Sequence, residues 1–66
     1  MSRILDALID RYNAQISEAK ATLEIYLNKS VCIGEHHQHI DEVDKLIAKI
    51  ATAKENLMVI EEIRDI

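Results

Sequence analysis

Proline, phenylalanine and tryptophan are absent from this 66-residue chain, and glycine and cysteine occur once each. Without proline nothing inside a helix forces a break. The lone glycine, Gly34, is the one place where the backbone reverses without steric cost. One cysteine, Cys32, cannot close an internal disulfide, which excludes the stapled frameworks of small secreted domains. Without phenylalanine or tryptophan no bulky aromatic cluster fills a core. Long apolar runs are missing too. The longest, Leu57 to Ile60, is far short of the roughly 20 residues that span a bilayer. Asp6 and Asp10 interrupt the N-terminal apolar residues, so no signal-peptide core is expected. The chain is expected to be soluble and intracellular, in the cytoplasm.

Clustered positive charge is the next absence. The net charge is −4, and no basic cluster offers the counterion release on which non-specific binding to nucleic acid or anionic lipid depends. The first half balances Arg3, Arg11, Lys20 and Lys29 against Asp6, Asp10, Glu18 and Glu24, so the acidic excess sits in the second half.

What is present is a pair of heptad seams. Leu5, Ile9, Tyr12, Ile16, Ala19, Leu23 and Tyr26 are spaced alternately four and three; Val43, Leu46, Ile50, Ala53, Leu57, Ile60 and Arg64 are spaced three and four. Folding the chain back at Gly34/Glu35 sets Tyr26 opposite Val43, Leu23 opposite Leu46, Ala19 opposite Ile50, Ile16 opposite Ala53, Tyr12 opposite Leu57 and Ile9 opposite Ile60. Only the layer of Leu5 with Arg64 is not apolar throughout. Small residues face large ones in the middle layers, as interdigitating helices require. The flanks agree with this register. Leu8 is expected to meet Ile63, Gln15 to meet Asn56, Lys29 to meet Glu42 and Leu27 to meet Ile40, while Asp6 faces Glu61. An all-α antiparallel two-helix hairpin is therefore expected, forming a single domain over residues 1–66. Its helices are expected at about 2–29, capped by Ser2, and about 36–65, with a turn at 30–35 and an Asp41–Lys45 pair at i,i+4. Glu61, Glu62 and Asp65 oppose the dipole at the last turn and are expected to fray it.

A core this small is worth only about 3–5 kcal/mol unless something reinforces it. Ile4, Ile25, Ile47, Ala51, Met58, Val59 and Ile66 lie off the seam, where a two-helix hairpin has no third layer to cover them. They read either as scattered surface residues or as an association face; the second reading gives a homo-oligomer, most simply a four-helix bundle, or a docked partner protein. The interface residues expected are Ile25, Ile47, Ala51, Met58 and Val59. Ala7, Ala14 and Ala21, recurring along the outward face of the first helix, read as good helix formers on a solvated surface.

Chemistry-bearing side chains gather at the turn: Cys32, Glu35, His36, His37 and His39. Thiolate and imidazole are zinc ligands, so Cys32, His36, His37 and His39 are candidate ligands, although C-x3-H-H-x-H is not a structural zinc spacing. The alternative is a solvated turn whose cysteine packs as a small hydrophobe. No G-x-S-x-G, no phosphate-cradling glycine loop and no built oxyanion site accompany the cysteine, so no enzymatic role is expected.

The run Asn28 to Ile40 (NKSVCIGEHHQHI), followed by Glu42 to Ile47 (EVDKLI) and by Lys49, Ile50 and Ala51, resembles a family of small tailed-phage helical-hairpin proteins of unassigned function. The family motif is similar to SVGIGEHP, from which this chain departs at Cys32 and His37. The resemblance implies a hairpin and, for a phage-encoded chain, a place in the host cytoplasm. It implies no activity. In architecture alone the chain also resembles the plasmid copy-control protein Rop, a hairpin that dimerises and binds RNA loops, but no Rop motif matches, so the RNA role is not carried over and a regulatory RNA contact stays a second alternative. The leading expectation is a structural or adaptor module acting by helix-face association, ahead of a zinc-type hairpin and of an RNA binder.

Overall fold

The computed structural model describes residues 2–28 and 36–66, the side chains of residues 36–38 excepted. Two helices, α1 (Arg3–Asn28) and α2 (His36–Arg64), pack antiparallel as a hairpin 50 Å long and 14 by 13 Å across. The length follows from α2 alone, whose 29 residues at about 1.5 Å each make a rod of roughly 44 Å.

The start of α1 is set by Ser2. Its hydroxyl accepts the Leu5 N–H at 3.2 Å, satisfying one of the otherwise unpartnered N–H groups of the first turn, and its carbonyl accepts the Asp6 N–H at 3.0 Å as the first bond of the helix ladder. Asp6 adds a favourable charge at the positive end of the dipole. Within α1 the Thr22 hydroxyl donates back to the Glu18 carbonyl at 3.0 Å, which keeps a β-branched polar residue compatible with the helix. Past α2, the Asp65 N–H donates to the Glu61 carbonyl at 3.1 Å and the Ile66 N–H to the Ile63 carbonyl at 3.2 Å, tightening the end into a turn.

The apolar seams meet as the spacing requires. Ala19, Ala53 and Ile60 are buried, and Leu5, Ile9, Tyr12, Ile16, Leu23, Tyr26, Val43, Leu46, Ile50 and Leu57 are half-buried. The burial of Ala19 and Ala53 fits an interdigitated seam in which small residues let two helices pack closely. Gln15 and Asn56 are both half-buried on one flank.

Four details differ from the sequence expectation. Arg64 does not merely fail to fill the end layer; its Nη2 lies 3.9 Å from Asp6 Oδ1, closing the open end of the hairpin with an ion pair. Asp6 accordingly finds a cation rather than only the facing Glu61. Lys45 pairs with Glu42 at 3.4 Å, three residues away, instead of with Asp41, because Glu42 lies towards the seam and its longer side chain meets the lysine. Leu27 and Ile40, expected to meet, remain 59% and 65% exposed. Lys29, Gly34 and the turn at 30–35 lie outside the described residues.

Candidate functional site

The turn cluster is placed only in part. Cys32 and Glu35 lie outside the described residues, as do the side chains of His36 and His37. His39 is described, and it belongs to the seam. Its ring meets Tyr26 edge to face, with centroids 5.3 Å apart and planes at 80°. That geometry sets the positive edge of one ring against the π-face of the other, and such pairs contribute about 0.5–1.5 kcal/mol beyond burial. The heptad spacing carried this signal, since His39 stands four residues before Val43 and so extends the apolar seam by one layer. A metal at the turn that used His39 has to withdraw the ring from Tyr26. Among the described residues no group of three or more His, Cys, Asp or Glu side chains converges as a metal site.

Far more surface is apolar than chemically armed. Ile4, Ile25, Leu27, Ile40, Ile47, Met58, Val59, Ile63 and Ile66 are all exposed, from 45% at Val59 to 103% at Ile66. Ala51 is exposed as well. Helical spacing divides them between the two flanks of the hairpin. Ile40, Ile47, Ala51 and Met58 share one flank of α2, with Leu27 of α1 beside them near the turn. Ile4, Val59, Ile63 and Ile66 share the other flank at the open end, where Leu8 is half-buried beside them. The expected interface set is thus split. Ile47, Ala51 and Met58 stand together, whereas Ile25 and Val59 fall on the opposite flank and towards opposite ends.

Ile40, which the sequence reading paired with Leu27, is exposed and joins the first group. A shallow groove runs along that same flank of α1, lined by Ser17, Lys20, Ala21, Leu23, Glu24 and Leu27. One helix alone lines it, so it encloses no small molecule in the way ligand pockets do. Ala7, Ala14 and Ala21 are exposed, as helix formers on a solvated face should be.

Comparisons with known protein families, with curated proteins and with solved structures find no match to this chain. Among the described residues no helix is long and apolar enough to cross a membrane.

Proposed function

We propose that this chain is a non-enzymatic structural or adaptor module that works by helix-face association, most simply with a second copy of itself to form a four-helix bundle. The observation that carries this reading is the ratio of surface to mass. The chain exposes 5419 Å², whereas a compact monomer of 7.5 kDa exposes about 4,200 Å². The excess of about 1,200 Å² exceeds the roughly 800 Å² that each partner contributes to a stable protein interface. Much of the exposed surface is isoleucine, leucine, methionine and valine, which gain free energy when a partner excludes water from them. With Ala19, Ala53 and Ile60 the only buried residues among those described, the hairpin also has much to gain from a further layer.

The experiment is light scattering on the eluting wild-type protein and on Ile47→Glu. Ile47 is 53% exposed and outside the seam, so the substitution leaves the hairpin folded and places a charge on the association face. A mass of two or more chains for wild type that falls towards one chain for the variant supports the module. An Ile47→Glu mass equal to wild type removes this face from the reading.

A further inference from the structure

We propose that the second copy docks antiparallel along α2, related by a two-fold axis level with Lys49, through Ile40, Asp44, Ile47, Ala51, Lys54 and Met58. The arrangement rests on the self-association proposed above and specifies its surface, direction and register. These six positions are spaced four, three, four, three and four, so they form a second heptad stripe on α2, about a quarter-turn round the helix from the stripe that packs on α1. A quarter-turn between two neighbours is the corner geometry of a four-helix bundle.

The order of residues along the stripe is self-complementary when reversed. An antiparallel copy sets Ile40 against Met58, Asp44 against Lys54 and Ile47 against Ala51, and then repeats the same layers from the other side. Apolar residues meet apolar ones, the acid meets the base, and the small residue meets the large one. In the isolated hairpin Ile40, Ile47 and Met58 are 65%, 53% and 62% exposed, and Ala51, Asp44 and Lys54 are exposed beside them. Neither Asp44 nor Lys54 forms an ion pair with a described residue, although Lys45 and Arg64 do. Two-fold symmetry makes each such pair occur twice, which is the signature of an isologous contact. The stripe is about 27 Å long, and Lys20 and Glu24 of the α1 groove would border it as a polar rim.

The opposite flank lacks this order. There Val59, Ile63 and Ile66 stand at one end of α2 and Glu42, Lys45 and Lys49 at the other, so an antiparallel copy over the same length sets apolar residues against charges. That flank serves here as the competing surface.

The test uses Asp44→Lys and Lys54→Asp, two exposed substitutions that leave the seam untouched. Each variant alone converts both inter-chain ion pairs into like-charge contacts and should weaken association about tenfold or more. Mixed in equal amounts, the two variants restore both opposite-charge contacts and should form a heterodimer with close to wild-type affinity, read by sedimentation velocity with one chain labelled. A wild-type dimer whose two variants associate undiminished, or weaken without recovering on mixing, overturns this register and leaves self-association standing. A wild-type chain that stays monomeric overturns both. A wild-type dimer that Val59→Glu disrupts while Asp44→Lys does not moves the contact to the opposite flank, against the proposal.

Discussion

Ile60→Ala should be the most damaging single truncation in α2. Ile60 is the one large side chain among the described residues that is buried, 5% exposed. Full burial of an isoleucine side chain is worth about 1.5–3 kcal/mol, and truncation in a close-packed core costs about 2–5 kcal/mol once the cavity is included. The seam is a single layer open on both flanks, so neighbours and water enter the vacated space, which puts the cost near the lower end, about 2 kcal/mol. Against a hairpin worth about 3–5 kcal/mol that loss is a large fraction of the whole. At about 4–8 °C per kcal/mol for a domain of this size, the thermal midpoint should fall by about 8–16 °C. Circular-dichroism melts at several protein concentrations measure it, concentration being varied because association itself raises the midpoint. Ile66→Ala is the internal control. That side chain is 103% exposed and its truncation should shift stability by less than about 0.5 kcal/mol. Equal losses at Ile60 and Ile66, or a loss at Ile60 below about 1 kcal/mol, would refute the burial argument.

The other expectations are smaller or concern the turn. Ser2→Ala removes the acceptor for the Leu5 N–H and should cost about 0.5–1 kcal/mol by chemical denaturation, whereas Ser2→Asp should cost almost nothing. Lys45→Ala breaks only an exposed i,i+3 pair with Glu42 and should change stability by less than about 0.5 kcal/mol; a larger loss in 0.5 M salt, where such a pair is already screened, would show that its role was misjudged. Tyr26→Leu keeps an apolar seam residue but loses the edge-to-face contact with His39, so it should cost about 0.5–1.5 kcal/mol and shift the His39 ring resonances, while Tyr26→Phe should do neither. Adding a chelator should leave the melt and the mass unchanged. A drop in either would restore the turn histidines and Cys32 to importance.

The seam was readable because packing between two long helices depends on little besides the heptad repeat, and every seam position from Leu5 to Ile60 is buried or half-buried. Ser2 was equally readable, since an N-cap is a local hydrogen bond and needs no tertiary information. Side-chain reach was not readable. Register arithmetic treats residues as points on a helix, so it missed that the long Arg64 side chain bends back to Asp6 and that Lys45 turns to Glu42. It also set Leu27 against Ile40 without showing that both stay largely exposed. His39 carried two signals: residue type makes it a candidate ligand, and its heptad position places it in the seam, where its ring meets Tyr26. The stripe proposed for association was half legible: Ile47, Ala51 and Met58 stood out as uncovered, but the complementarity of Asp44 with Lys54 emerges only when the stripe is read against its own reverse.

The helices and their seam make a rod whose open end is tied by Ser2 and by the Asp6–Arg64 pair, and whose exposed apolar flank is proposed to be covered by a second copy. Sedimentation equilibrium of the unmodified protein over a wide concentration range, with zinc and with a chelator, tests that most directly. A mass of twice 7.5 kDa is expected under both conditions, with dissociation only on dilution. A mass of 7.5 kDa at every concentration, or an assembly that forms only with zinc, would contradict it.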